Sequence, residues 1–221
     1  GTFTQNGTGA VSLSASVTAV DNDMIFATDV TCLTPVTFWA RTASITFSAG
    51  LDCGANQVVL NADAMNCNGG VDSVQGTSQL VIYPHSQGSI GIGDGAPGDL
   101  QFTTADIAAM KAGFTGGVIF GQSRLASTIT IEPLTFKNST NFRSTGEINV
   151  NGAIVGDGFL SFTGPVVLSG DTTITPAIYV TCTSTINGAY DLTLSSGSGS
   201  TQVLGAIGGT TALNSLTIDG T

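Results

Sequence analysis

Short segments in which apolar and hydroxyl-bearing side chains alternate recur along most of the chain, and they restrict the fold more than any other feature. Each puts two apolar residues on one side of an extended strand and a Thr or Ser on the other, the period of a half-buried β-strand. Turn signals such as Asn151-Gly152 and Asp219-Gly220 separate the segments. The pattern predicts an all-β fold with these side chains inward: Ile129, Ile131, Leu134, Phe136, Leu160, Phe162, Leu192, Leu194, Leu216 and Ile218.

Imperfect internal similarity favours a coil over a closed sandwich. Val30-Thr31-Cys32 recurs as Val180-Thr181-Cys182, and Asn151-Gly152-Ala153 recurs as Asn187-Gly188-Ala189. Stacked coils leave such repeats because each coil buries its apolar face only against its neighbours. We therefore predict a parallel β-solenoid over residues 1–221, a single elongated module that is a fragment or repeat unit of a longer chain.

One helix interrupts the strand pattern. Thr103 to Asp106 has the form of a capping box with Asp in place of the usual Glu, and Ile107, Met110 and Phe114 follow at helical spacing. The sequence predicts a short one-faced helix near residues 104–112, stopped by Gly113 and lying on the solenoid.

The charge content is unusually low. Charged residues are 9% of the chain and the formal net charge is −10, whereas an ordinary domain carries about 25% charged residues. The five cations lie singly along the sequence: Arg41, Lys111, Arg124, Lys137 and Arg143. Binding to nucleic acid or to anionic membranes needs clustered Lys and Arg, and no stretch approaches 18 apolar residues. We expect neither a nucleic-acid partner nor membrane insertion.

Four cysteines, at positions 32, 53, 67 and 182, show no paired zinc-site spacing. An even number in a Thr-rich, Lys-poor chain suits an oxidising compartment, although buried free thiols are an equal alternative. Cys53 and Cys67 flank the predicted strand 58–60, so they are the pair expected to form a local disulfide. For Cys32 and Cys182 an interchain bond stays open.

Candidate catalytic and metal-binding residues are few. His85 is the only histidine, in a turn, and no serine sits in a nucleophile elbow. Glu132 and Glu147 are the only glutamates, with no basic residue near them in the pattern to neutralise an acidic sugar. We therefore predict no catalytic residues and no cofactor. Asp21-Asn22-Asp23 offers oxygen ligands, which leaves a weak calcium site as an alternative to turn-forming side chains.

Trp39 is the one candidate for contact with a partner. It is the single tryptophan, and alternation puts it on the opposite face from its neighbour Phe38. An indole at the surface of a strand is available to another molecule.

Two stretches resemble modules of giant filamentous-haemagglutinin-like surface proteins. The first comprises Leu80 to Ile82, the glycine-rich turn Ile90 to Gly95, Leu100 to Met110, Val118 to Gly121 and Thr128 to Ile131; the second is Leu204 to Ile218. The order of strand, IGxG turn, strand, short helix and two strands is typical of these bacterial adhesins. The resemblance implies a right-handed parallel β-helix exported across the cell envelope.

We expect an extracellular, cell-surface protein with a structural or adhesive role in a filament or fibre, and no enzymatic activity. Its expected partners are further copies stacked head to tail and a host or matrix surface or glycan. The alternative is a carbohydrate-active β-helix enzyme, either a polysaccharide lyase or a glycosidase. An ice-binding solenoid with Thr ladders is a third alternative, which the varying coil lengths disfavour.

Overall fold

The strands of successive coils pair in parallel, as the alternating pattern predicts. The structure is a computed structural model that describes residues 1–220. It is a parallel β-solenoid of about 10 turns with one short helix, so the predicted fold class is confirmed.

In chain order the elements are β1 Phe3–Gln5, β2 Val11–Leu13, β3 Val17–Thr18, β4 Met24–Phe26, β5 Val30–Cys32, β6 Val36–Phe47, β7 Leu51–Asp52, β8 Val58–Cys67, β9 Val74–Gln75, β10 Gln79–Tyr83, β11 Ile90–Ile92, β12 Leu100–Phe102, α1 Thr104–Ala109, β13 Gly117–Gly121, β14 Ile129–Ile131, β15 Leu134–Phe136, β16 Thr140–Arg143, β17 Ile148–Gly156, β18 Leu160–Thr163, β19 Val166–Pro176, β20 Val180–Cys182, β21 Ile186–Asn187, β22 Asp191–Ser196, β23 Thr201–Val203 and β24 Ser215–Gly220.

Three sheets run along the solenoid. Sheet A has 11 strands in the order β1-β4-β6-β8-β10-β13-β16-β18-β20-β23, with β3 on β6. Sheet B has nine strands in the order β12-β11-β14-β17-β19-β22-β24, with β15 and β21 on its long strands, and sheet C has four in the order β2-β5-β7-β9. The long strands turn corners where their register shifts, as between Trp39 and Ser44. Each coil therefore has three strand-bearing sides.

One side of the solenoid carries the single tryptophan. It is formed by β3, β6 up to Trp39, β8 up to Asn61, and then β10, β13, β16, β18, β20 and β23. We call it the Trp39 side. Along it, side chains in neighbouring coils are separated by 20 to 22 residues. The exception is the step from β10 to β13, where Thr77 and Thr115 are 38 residues apart. The additional residues form β12 and α1, which cover the interior where sheet B begins.

Inward-facing apolar residues form one continuous core. Phenylalanines stack in it from coil to coil, with ring centroids 5.3 Å apart for Phe26 and Phe47 and 5.1 Å apart for Phe142 and Phe162. The residues predicted to point inward are buried from Ile129 to Leu194. Leu216 and Ile218 are in register with Leu192 and Leu194, but they are 41% and 52% exposed because β24 is the last strand of its sheet.

The helix begins where the sequence predicts and ends early. Thr103 and Asp106 form both hydrogen bonds of the capping box. The helix nevertheless spans Thr104–Ala109, because Met110 pairs with Val74 of sheet C and the Lys111 backbone N–H donates to the Val74 carbonyl. A parallel ladder thus replaces the last helical turn. Among residues 1–220, no helix is long and apolar enough to cross a membrane.

Candidate functional site

An outward row of three side chains marks the candidate site on the Trp39 side. Trp39 is the register partner of Asn61, and Asn61 is the register partner of Tyr83, so the three lie side by side in successive coils. Neighbouring strands are about 4.8 Å apart. Trp39 is 39% exposed while Phe38 is fully buried, which confirms the predicted opposite orientation of the two rings.

Two loops raise walls beside this row. After β10, the Asp63 carboxylate accepts hydrogen bonds from the backbone N–H groups of His85 and Ser86, at 2.8 and 3.0 Å. After β13, the Leu125 carbonyl accepts from the Ser144 hydroxyl and from the Thr145 backbone N–H, at 3.1 and 2.9 Å. Both loops are therefore fixed to strands of the neighbouring coils.

A β-bulge places a cation against Trp39. The register of β6 shifts between Trp39 and Arg41, and Arg41 takes a φ of 56°, a left-handed conformation that costs a non-glycine residue roughly 1 kcal/mol. The bulge turns the Arg41 side chain so that its guanidinium lies 5.3 Å from the centroid of the indole ring. Such a cation–π contact contributes about 0.5–1 kcal/mol at an exposed site, and it orients the indole.

His85 links Trp39 to Asn61. Its Nδ1 lies 3.4 Å from the Trp39 Nε1 and 3.2 Å from the Asn61 Oδ1. A protonated Nδ1 donates to Asn61 and leaves the Trp39 N–H free, whereas an unprotonated Nδ1 accepts from Trp39. The tautomer of His85 thus decides whether the indole N–H is available to a ligand.

These walls and side chains enclose two adjoining depressions. The Trp39 pocket has a volume of about 500 Å³ and is lined by Ser16, Thr18, Thr37, Trp39, Asn61, Tyr83, Pro84, His85, Gln122 and Leu125. The arginine pocket, of about 400 Å³, is lined by Gln57, Val59, Gln79, Val81, Tyr83, Ile119, Gly121, Gln122, Ser123, Arg124 and Arg143. Tyr83 and Gln122 belong to both, so the two form one outer groove. It crosses six strands, from β3 to β16, a length of roughly 24 Å.

The groove is positively charged, in contrast to the chain as a whole. No Asp or Glu lines either pocket in the described chain, whereas Arg124 and Arg143 do and Arg41 lies against Trp39. Cations that lie singly along the sequence are thus brought together in part by folding. Arg124 and Arg143 line one pocket, and Arg41 lies beside Trp39 at the adjoining corner.

The four cysteines are free and buried in the structure. The predicted Cys53–Cys67 disulfide is not formed there. Cys53 instead stacks on Cys32, because Val30 and Thr31 pair with Leu51 and Asp52 and the next inward positions follow in register. Burial raises the pKa of Cys32 to about 11 and those of Cys67 and Cys182 to about 12. It raises the pKa of Cys53 as well, with the nearby Cys32, Asp52 and Cys67 adding to the effect.

The expected acidic sites are separate from the groove. Asp21 accepts a hydrogen bond from the Thr42 hydroxyl, and Asp23 accepts from the backbone and hydroxyl of Ser44, which lowers the pKa of Asp23. Residues 1–220 hold no cluster of three or more His, Cys, Asp or Glu side chains that could bind a metal. A calcium site near Asp21 stays untested.

The two glutamates do not form a catalytic pair. Glu132 follows β14 and Glu147 precedes β17, and the register Ile129↔Ile148 puts Glu147 beside Thr128. Their backbone positions are thus four residues apart along the strands, roughly 13 Å, and neither glutamate lines a pocket of the outer groove. Glu132 also accepts a hydrogen bond from the Asn151 amide at 2.9 Å.

Of the residues that line the outer groove, the sequence predicted only Trp39 as a site residue. The signal that could have found the others is the coil length. Asn61 and Tyr83 are 22 residues apart, and Trp39 lies the same distance before Asn61, so a search at that spacing brings the three together. The Arg pair depends on loop geometry and has no such signal.

Comparisons with known protein families, curated proteins and solved structures found no match to this chain. The resemblance to filamentous-haemagglutinin-like proteins therefore stays a prediction.

Proposed function

We propose that the chain is an adhesive module of an extracellular surface fibre that binds carbohydrate in the outer groove. The observation that carries the proposal is the partly exposed Trp39 ring beside a row of amide and hydroxyl groups in a concave site. Ligand sites are typically concave, with aromatic walls and a few placed polar groups. The fibre resembles the filamentous-haemagglutinin type in strand pattern.

A carbohydrate suits this lining better than a purely apolar ligand. Each sugar ring has an apolar C–H face, which packs on an aromatic ring, and a rim of hydroxyl groups. Gln122 and Thr37 offer donors and acceptors for such hydroxyls around Trp39, whereas Asn61 is buried and bonded to Tyr83 and His85. The groove also runs along the strand-stacking direction over several coils, so it suits a chain of sugar units.

Binding without turnover is favoured over the enzymatic alternative by the distribution of carboxylates. Glycosidases use a pair of carboxyl groups on either side of the scissile bond. Neither pocket of the outer groove is lined by a carboxylate in residues 1–220. We therefore propose adhesion.

The single tryptophan gives a direct test. A glycan array identifies binding oligosaccharides, and titration with them should change the fluorescence of Trp39, which is the only source of tryptophan emission. Trp39→Ala should reduce binding at least 10-fold, about 1.4 kcal/mol, with an unchanged circular dichroism spectrum. Tyr190→Ala, which removes an equally exposed ring outside the groove, should bind as the wild type does. Equal binding by the Trp39 and Tyr190 variants would overturn the proposal.

Head-to-tail stacking of copies is the second part of the proposed role. The end coils present apolar side chains, with Phe3 at 37% exposure in β1 and Leu216 and Ile218 exposed in β24. Unpaired strand edges favour further strand pairing, and a heterologous contact of this kind propagates into filaments. Sedimentation velocity should show mass increasing with concentration, and Ile218→Lys should suppress the increase. A concentration-independent mass of 22.2 kDa would contradict this part.

A further inference from the structure

We propose that the outer groove selects acidic saccharides, with Arg124 and Arg143 binding the carboxylate of a uronic acid unit. This inference rests on the proposed carbohydrate binding and adds the ligand class to it. The two arginines line the arginine pocket, which shares Tyr83 and Gln122 with the Trp39 pocket.

The arginines have no carboxylate partner in the chain. Among residues 1–220 the one ion pair joins Lys137 to Asp72, at 2.7 Å. No carboxylate of the groove lining neutralises Arg124 and Arg143, although the chain carries a net charge of −10. Two unpaired cations in such a lining favour an anionic ligand, because an anion gains Coulomb energy in addition to the hydrogen bonds that a neutral hydroxyl could also accept from them.

A glycine lies between Tyr83 and Arg143 in the lining of the arginine pocket. Ile82 pairs with Phe120, and Gly121 pairs with Arg143, so the outward line runs from Tyr83 past Gly121 to Arg143. Gly121 has a φ of 81°, and a Cβ there would collide with the Arg143 carbonyl. Gly121 therefore carries no side chain between Tyr83 and Arg143, and its backbone lines the arginine pocket.

The guanidinium group is a planar fork of N–H donors, and its geometry matches the two oxygens of a carboxylate. Arginine binds carboxylates through two parallel N–H···O bonds, which gives geometry as well as energy. Arg143 is held on a strand while Arg124 is exposed on the loop after β13. A sugar ring on Trp39 or Tyr83 would thus place a substituent of a neighbouring unit within the arginine pocket.

The experiment compares acidic oligosaccharides with their neutral derivatives. The probes are oligogalacturonate and a hyaluronan hexasaccharide, each against its carboxyl methyl ester, followed by Trp39 fluorescence and by calorimetry. We expect the acids to bind at least 10-fold more tightly than the esters and to weaken with added salt. Arg124→Gln combined with Arg143→Gln should remove the preference, so that this variant binds the acid and the ester with similar affinity. Lys111→Gln, the matched loss of a cation outside the groove, should keep the preference.

The outcomes separate the two proposals. Equal binding of acid and ester, lost in Trp39→Ala, overturns the acidic preference and leaves the carbohydrate site in place. Binding of neither probe, together with no Trp39-dependent signal on a glycan array, overturns the carbohydrate site itself. A preference for the acid that survives in the double Arg variant overturns the assignment of the carboxylate to Arg124 and Arg143. Tighter binding of single-stranded oligothymidylate than of the uronates overturns the ligand class.

Discussion

The two halves of the Trp39 side have the same inner face and different outer faces. From β3 to β16 the outer face carries Trp39, Asn61 and Tyr83, and in the register of that row the second half has Thr163, then Thr183 after β20 and Leu204 after β23. Inside, an apolar stack continues through both halves, from Phe38 to Phe162. Apart from the longer coil between β10 and β13, paired positions are 20 to 22 residues apart in both halves.

The two halves share an architecture because their inner residues are alike. Their outer residues and loops differ, and these determine what each half can bind. Parallel stacking needs only that each coil offers inward apolar side chains to the next. The outer positions are then free to vary, and in the first half a bulge at Arg41 and two loops anchored by Asp63 and Ser144 have converted a flat side into a groove. The following variants test this separation between the inner face, which stabilises the fold, and the outer face, which binds.

The largest effect should come from the shared inner face. Phe38→Ala and Phe162→Ala each remove a fully buried ring from the stack, and each should lower the free energy of unfolding by about 3–5 kcal/mol. Urea unfolding followed by circular dichroism measures both. Phe159→Ala, which removes an outward ring stacked on Tyr179, should cost much less. If only one of the two core variants shifts the main transition, the halves unfold separately and their inner faces are not equivalent.

High pH should destabilise the first half more than the second. Three of the four buried thiols, Cys32, Cys53 and Cys67, lie in the first half. Their pKa values are raised by burial, that of Cys32 to about 11, so stability is fully present below the unfolded pKa of 9.0 and falls as pH rises toward the folded pKa. Each thiol should cost about 1.4 kcal/mol per pH unit in that window. Urea unfolding monitored by Trp39 fluorescence from pH 8 to 11 measures the slope.

Cys53→Ala provides the control for the thiols, because it should flatten the slope by one thiol. An unchanged slope in that variant would show that Cys53 is not buried in its thiol form. Counting thiols with a chromogenic disulfide in urea also tests the predicted bridge: four reactive thiols contradict a Cys53–Cys67 disulfide, and two support it.

The loop that carries His85 should affect binding and hardly affect folding. Asp63→Ala removes the acceptor of two backbone N–H groups, and a loosened loop should weaken saccharide binding about 3- to 10-fold, up to about 1.4 kcal/mol. Asp171→Ala is matched to it, since Asp171 accepts from the Asp191 backbone N–H away from the groove, and it should leave affinity unchanged. Similar losses of affinity in both variants would refute a specific role for this loop.

The smallest effect concerns the bulge at Arg41. Arg41→Gly loses the cation–π contact but also relieves the left-handed conformation, so the free energy of unfolding should change by less than about 1 kcal/mol. Arg41→Ala keeps the strain and should be roughly 1 kcal/mol less stable than the glycine variant. Thermal unfolding compares the two, and the fluorescence maximum of Trp39 should shift in both. A glycine variant less stable than the alanine variant would show that the conformation at residue 41 differs.

The sequence by itself determined the class of fold, because strands buried on one face require alternation wherever they lie. Leu160 and Phe162, or Ile129 and Ile131, reveal their inward direction locally. The capping box at Thr103 and Asp106 is equally local and was found. The coil length is present in the sequence too, in the 21 residues between Cys32 and Cys53.

The tertiary structure alone decided which repeats are equivalent and which side chains meet. Val30-Thr31-Cys32 and Val180-Thr181-Cys182 look alike but lie in sheets C and A, because three similar residues suit any inward strand. The helix lost its last turn to a bridge with Val74, a residue distant in sequence. Arg124 and Arg143 line one pocket because the loop after β13 lies beside β16, the strand of the next coil that pairs with β13. Long-range register sets that alignment, and no local pattern contains it.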